Sequence, residues 1–151
     1  MKTYSPPKQF PFDRRVFAQA LAVAFALRIL CLLLVAYRFD NGDANWYGRV
    51  ARNIAEYHVF SQAETAPFEP MLYRPPVYPG LVAGLRILFG DSVLPLQLLQ
   101  CLLGTAAVGF MATAAACVSK NLGRIALWVL ALSPFDAVFA GARLTECLVI
   151  F

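Results

Sequence analysis

Two long apolar runs dominate this sequence and limit what it can fold into. They extend from Val16 to Tyr37 and from Val93 to Val118, and each matches the roughly 20 residues that a helix needs to cross ~30 Å of hydrocarbon. The chain is 60% hydrophobic and only 15% charged, whereas a soluble domain is nearer a quarter charged. The sequence therefore predicts an all-α polytopic membrane protein.

The residues that flank the first run predict its orientation. Residues 1–15 carry four basic side chains and a single acid, Asp13. Since basic flanks stay in the cytoplasm, we expect residues 1–15 to be cytoplasmic and residues 16–37 to form the first span. A cleaved signal peptide is disfavoured, because the run is too long and no small-x-small site follows it. Arg28 lies inside this span, where a charge marks either function or pairing with a neighbouring helix.

Charge placement also orders the segments that follow. Val77 to Phe89 is apolar, but as a helix it would be only ~20 Å long. If it stays on the outer surface, Lys120 and Arg124 fall in the cytoplasm, as the positive-inside rule prefers. The prediction is thus an outer loop at residues 38–92, an inward span at 93–118 and a cytoplasmic turn at 119–124. An outward span follows at residues 125–140, broken by Pro134 near its end, and a fourth span begins at residues 144–151. Because the last segment ends after about two turns, we expect the chain to be the N-terminal part of a longer protein.

The outer loop is the longest polar passage in the sequence, and it is rich in aromatic residues. Such composition argues against disorder and suits a loop folded onto a membrane surface. We predict two juxtamembrane helices in it, at residues 44–57 and 77–89. In the first, apolar residues recur at spacings of three and four, which indicates an amphipathic helix lying flat on the bilayer. Asp43 is well placed to be its N-cap.

The predicted topology brings three polar residues to the outer face, namely Asp43, Arg74 and Glu146. A carboxylate can act as a general base on a hydroxyl, and a guanidinium can hold a phosphate through two hydrogen bonds. Pro75 and Pro76 stiffen the backbone beside Arg74. Each residue also has a purely structural interpretation: a helix cap, an interfacial anchor and a helix-terminus charge, respectively.

The order of these motifs resembles the N-terminal part of glycosyltransferase family 39. That family comprises membrane glycosyltransferases related to dolichyl-phosphate-mannose–protein mannosyltransferase and to the bacterial aminoarabinose lipid A transferase. The resemblance covers nearly the whole chain from the first span onward. It is carried by Gly42-Asp43-x-x-x-Tyr47-x-x-x-Ala51, Arg74-Pro75-Pro76-Val77-Tyr78-Pro79, Phe89-Gly90, Leu98-Leu99-Gln100-x-x-x-Gly104, Pro134 and Leu144-Thr145-Glu146.

The resemblance implies transfer of a sugar, with inversion, from a polyprenyl-phosphate donor to a hydroxyl of a protein, lipid or glycan acceptor. The reaction would take place on the periplasmic or outer face of the cell membrane, and this chain alone is expected to be inactive. Asp43 would be the catalytic base, and Arg74 would contact the carrier phosphate. Glu146, Tyr47 and Arg28 would support the site.

The sequence assigns no cofactor and no metal ligand. Asp43 is followed by Ala44, where many relatives carry two adjacent acids, so a divalent metal stays an open question. The net charge of +4 arises at helix flanks and does not indicate nucleic-acid binding. All four cysteines lie in apolar runs without metal-type spacing, which is typical of inert thiols.

Two other functions stay open at this point. The chain would be part of a transporter or channel if Arg28 and Glu146 are charges that line a transport pathway. It is a non-catalytic membrane scaffold if Arg74 merely binds a carrier lipid. Loss of turnover on substitution of Asp43 by Asn, with lipid binding intact, would separate the enzyme from the scaffold.

Overall fold

The computed structural model describes residues 10–35, 42–70 and 75–141, and within those ranges the chain is helical with no strand. This confirms the all-α prediction for the described residues. The helices are α1 Arg14–Val35, α2 Asp43–Tyr57, α3 Val77–Phe89, α4 Leu94–Val118, α5 Lys120–Ala131 and α6 Pro134–Gly141. Two of them, α1 and α4, are long and apolar enough to cross a membrane.

Small residues let α1 and α4 pack closely, as the composition of α4 predicts. A Cβ atom added to Gly109 would lie 3.1 Å from the Phe17 ring, and one added to Gly104 would lie 2.9 Å from Nε of Arg28. Because Phe17 precedes Arg28 whereas Gly109 follows Gly104, the two helices are antiparallel. The core that they share with α5 consists mainly of small and aliphatic side chains, including Ala20, Ala24, Val108, Ala112, Leu127 and Ala131.

The turn predicted at residues 119–124 is too long, since α5 already begins at Lys120. Ser119 alone is extended between α4 and α5, and its Oγ accepts a hydrogen bond from the backbone N–H of Leu122 at 3.1 Å. Serine at this position satisfies one of the unpaired amides at the helix start, which allows the chain to reverse over one residue. Gly123 then packs on Ala116, where an added Cβ would lie 2.5 Å from the alanine methyl.

The predicted outward span, residues 125–140, is broken near Pro134, as expected, and it consists of two helices. The break falls at Leu132 and Ser133, and α6 begins at Pro134. Proline fits the first turn of a helix but cannot continue one, because it lacks an N–H and collides with the preceding turn. Since α5 has 12 residues, or about 18 Å, it is too short to cross a bilayer alone. The predicted fourth span, residues 144–151, lies outside the described residues.

Helix α2 begins one residue earlier than predicted, and Asp43 is not its N-cap. Gly42 occupies that position with φ 67°, and its carbonyl accepts the first helical hydrogen bond, from the N–H of Trp46 at 3.2 Å. A positive φ costs little only for glycine. Asp43 is therefore the first residue of the helix itself.

Helices α2 and α3 run in the same direction. The rings of Tyr47 and Tyr78 lie 4.8 Å apart, and rather more than two turns further along each helix Arg86 reaches Glu56 at 3.2 Å. A parallel pair requires a connection that returns along the full length of α2, which explains the length of the loop after it. Its described part folds back on α2, because Asn53 donates hydrogen bonds to the carbonyls of Ser61 and Ala63.

The apolar face of α2 is covered by protein rather than left to face the bilayer. Its buried side chains pack on α3 and on the start of α4, in a cluster composed of Trp46, Tyr47, Val50, Tyr78 and Leu96. The amphipathic pattern of the sequence is correct, but the surface that satisfies it is α3. This arrangement forms a two-helix layer, α2–α3, at the N-terminal end of α4.

Candidate functional site

The structure describes some of the predicted site residues and not others. Asp43 is the first residue of α2, and Tyr47 lies one turn further along, buried at 8% exposure. Arg74 and Glu146 lie outside the described residues. Arg28 is described, but in a different part of the fold from Tyr47.

Tyr47 is held between two other aromatic rings. It meets Trp46 edge to face at 4.9 Å and Tyr78 edge to face at 4.8 Å. Such pairs contribute about 0.5–1.5 kcal/mol each beyond the area they bury. The two halves of the motif, one around Asp43 and one around Pro75 and Pro76, are therefore joined through a direct contact between their tyrosines.

A polar contact fixes this aromatic cluster to α4. Gln100, which is 1% exposed, donates a hydrogen bond from Nε2 to the hydroxyl of Tyr78 at 3.2 Å. A buried amide must be hydrogen-bonded to offset its lost hydration. This contact therefore fixes where α3 lies along the axis of α4.

A small cleft opens beside the cluster, and we call it the tyrosine cleft. It has a volume of about 80 Å³ and lies between α2, α3 and the residues that lead into α4. Its walls are mostly apolar, with Arg86 and Asp91 at one side. The lining residues are Ala44, Tyr47, Gly48, Ala51, Tyr78, Val82, Leu85, Arg86, residues 90–93 and Leu96.

A second, open groove adjoins the tyrosine cleft, and it is lined by three arginines. We call it the arginine groove. Its lining residues are Gly42, Asn45, Gly48, Arg49, Arg52 and Arg86. It shares Gly48 and Arg86 with the tyrosine cleft, so the two lie side by side along α2.

Each arginine of the groove has an acidic partner. Arg49 pairs with Glu64 at 2.7 Å, Arg52 pairs with Glu56 at 3.0 Å, and Arg86 pairs with Glu56 and with Asp91. The hydrogen bond from Arg52 lowers the pKa of Glu56, and the charges of Arg52 and Arg86 lower it further. The same hydrogen bond raises the pKa of Arg52.

Arg28 is buried among the spans and not beside Tyr47. It is 2% exposed, and its Nη1 donates a hydrogen bond to the carbonyl of Ala24 at 3.0 Å. It lines a cavity of about 30 Å³ together with Gly104, Ala107, Val108, Met111, Leu130, Asp136 and Phe139. The structure thus does not bring Arg28 into the cleft or the groove.

Among the residues described, no cluster of three or more His, Cys, Asp and Glu side chains could hold a metal ion. Three of the four cysteines are described, and all three are free thiols: Cys31, Cys101 and Cys117.

The sequence interpretation missed Arg49, Arg52 and Arg86 as a group. Arg49 and Arg52 are spaced three residues apart on the polar face of α2, which is a visible signal. Arg86, however, lies on a helix that the sequence marks only as apolar. Nothing in the sequence indicates that α2 and α3 are parallel, and that arrangement is what brings Arg86 to Glu56.

Comparisons with models of protein families, with curated proteins and with solved structures found no match for this chain.

Proposed function

We propose that this chain forms part of a membrane glycosyltransferase that moves a sugar from a polyprenyl-phosphate donor to an acceptor hydroxyl. The observation that carries the proposal is the contact between Tyr47 and Tyr78. Because α2 and α3 are parallel, their first turns lie at the same end of the layer. Asp43 begins one helix, and Pro75 and Pro76 lead into the other.

In the proposed reaction, a residue at the start of α2 transfers the proton and a residue ahead of α3 stabilises the leaving phosphate. Asp43 takes the proton of the acceptor hydroxyl as its oxygen attacks the anomeric carbon, so the new glycosidic bond has inverted configuration. The bond from the anomeric carbon to the carrier phosphate breaks, and the phosphate leaves with the electron pair. Arg74, ahead of Pro75, stabilises the charge that grows on that phosphate.

The remaining predicted residues have supporting roles in this proposal. Tyr47 positions the first turn of α2 through its contact with Tyr78, and Glu146 is proposed to lie near the reacting groups. Arg28 acts at a distance, by fixing the packing of α1 against Gly104.

The proposal includes an orientation in the cell membrane. Residues 1–15 are cytoplasmic, and the α2–α3 layer lies on the periplasmic or outer face. Two features support this: the basic N-terminal flank, and the 25-residue length of α4, which separates the layer from Ser119 by about 37 Å. A protein, lipid or glycan acceptor would approach from the outer face.

The test is substitution of Asp43 by Asn. Asparagine keeps the size and polarity of the side chain but cannot accept the proton, so turnover should fall by ~10²–10⁴-fold. The measurement is sugar transfer from a polyprenyl-phosphate donor in membranes that contain the full-length protein.

Asp13 provides the matched control. It caps α1, where its carboxylate accepts a hydrogen bond from the N–H of Arg15 at 2.7 Å, and Asn is an equally good cap. Asp13→Asn should keep wild-type turnover. Near wild-type turnover in Asp43→Asn as well, at equal expression, would show that the proposed mechanism is wrong.

A further inference from the structure

We propose that the arginine groove and the tyrosine cleft together bind an anionic phospholipid of the surrounding bilayer, with its phosphate on the arginines. The site does not depend on the glycosyl transfer proposed above, and it uses none of the residues assigned there to proton transfer or to the carrier phosphate. It rests on the side chains that α2 and α3 place on one wall.

The arginines retain hydrogen-bonding capacity for a phosphate. Each guanidinium has N–H donors on three nitrogens, yet Arg49 pairs with its acidic partner through Nη1 alone, Arg52 through Nε alone and Arg86 through Nη2 alone. Arginine holds phosphate best through two parallel N–H groups, which are still available on Arg49 and Arg52. Arg86, whose Nη2 contacts both Glu56 and Asp91, keeps Nε and Nη1 for single hydrogen bonds. Among the described residues that line the groove there is no carboxylate.

Two of the three acidic partners are also easily displaced. Glu64 and Asp91 have side-chain exposures of 73% and 79%, and exposed ion pairs contribute little net stability because water and salt screen them. A phosphate that replaces Glu64 on Arg49 exchanges a weak, screened contact for a charge-assisted hydrogen bond in a groove that two further arginines line. Glu56, whose side chain is 35% exposed, stays between Arg52 and Arg86.

The apolar surroundings select a lipid over a soluble phosphate. The groove adjoins the tyrosine cleft, since Gly48 and Arg86 line both. Immediately after Arg86, α3 exposes Ile87, Leu88 and Phe89 by 59–74%. In a membrane protein such a surface faces acyl chains, and an arginine beside it extends its head toward the phosphate level. A phospholipid satisfies both surfaces at once.

The experiment is native mass spectrometry of the protein released from neutral detergent micelles. The micelles contain phosphatidylglycerol, phosphatidylcholine or undecaprenyl phosphate at equal concentration, and the retained lipid is identified by its mass. Wild type should retain one phosphatidylglycerol in preference to the other two. Each single Arg→Gln change at Arg49, Arg52 or Arg86 should lower that retention roughly fivefold, since one arginine near a charged membrane surface has about that effect.

Two glycines provide a matched pair of variants that leave every arginine in place. A Cβ added at Gly48 or at Gly84 meets no other atom within 4 Å, so both helices accept a side chain there. Gly48→Leu fills the junction of groove and cleft and should lower retention at least as much as one arginine substitution. Gly84 lines neither surface, so Gly84→Leu should retain the lipid as wild type does.

Three outcomes would overturn the proposal. The first is equal retention of phosphatidylglycerol and phosphatidylcholine, and the second is unchanged retention in the arginine variants. The third is preferential retention of undecaprenyl phosphate, which would assign the groove to a carrier lipid instead. Circular dichroism of each variant checks that the helices are intact.

Discussion

Gln100 on α4 donates a hydrogen bond of 3.2 Å to the hydroxyl of Tyr78 on α3. Both side chains are almost completely buried, so this bond links the α2–α3 layer to one of the two helices that are long and apolar enough to span a membrane. Tyr78 in turn contacts Tyr47 on α2. A change at Gln100 therefore affects the first turn of α2 through a single intermediate residue.

Tyr78→Phe should lower the free energy of unfolding by about 1–2 kcal/mol, because it keeps the ring and removes one hydrogen bond of a buried amide. Gln100→Leu should act through the same bond, so the double variant should be less destabilised than the two single variants added together. Thermal unfolding in detergent measures this. Tyr57→Phe, at an exposed position, is the control; full additivity of the two buried changes would contradict the prediction.

Gly104→Ala should destabilise the packing of α1 on α4 by about 1–3 kcal/mol, as overpacking typically does. The added methyl would lie 2.9 Å from Nε of Arg28, so the buried guanidinium would have to shift. Gly80→Ala is the control, since a Cβ there meets nothing within 4 Å, and alanine favours the helix. If Gly104→Ala unfolds at or above the temperature of Gly80→Ala, Arg28 does not depend on this contact.

Arg74→Ala should reduce kcat/KM for the polyprenyl-phosphate donor by roughly tenfold to a hundredfold, the usual effect of removing a hydrogen bond to a charged group. Arg74→Lys should recover only part of this, because an ammonium keeps the charge but cannot form two parallel hydrogen bonds. Steady-state sugar transfer by the full-length protein provides both values. Wild-type kinetics in both variants would show that Arg74 is only an interfacial anchor.

The proposed topology can be tested by cysteine labelling in a variant that lacks the four native cysteines. A cysteine at Thr65, which is exposed in the loop after α2, should react with an impermeant reagent added from outside the cell. A cysteine at Asn121, at the opposite end of α4, should react only after the membrane is permeabilised. Labelling of residue 121 in intact cells would show that the proposed orientation is wrong.

The helices themselves were predictable from the sequence, because local patterns determine them. Two apolar runs of spanning length correspond to α1 and α4, and apolar residues at spacings of three and four correspond to α2. Helix α3 matches the predicted range, Val77–Phe89. The boundaries that failed depend on single residues: Gly42 takes the N-cap position, and Ser119 reduces a predicted six-residue turn to one residue.

Only the tertiary structure decided how these helices combine. Periodicity shows that α2 has an apolar face, but not that Tyr78 and Leu96 cover it. Periodicity also does not show whether α2 and α3 are parallel or antiparallel. Their parallel arrangement places Arg86 beside Glu56 and in the same groove as Arg52. The physical reason is that helix formation follows from neighbours in sequence, whereas the pairing of helices depends on which surfaces fit. Side chains more than 20 positions apart meet only after that fit is made.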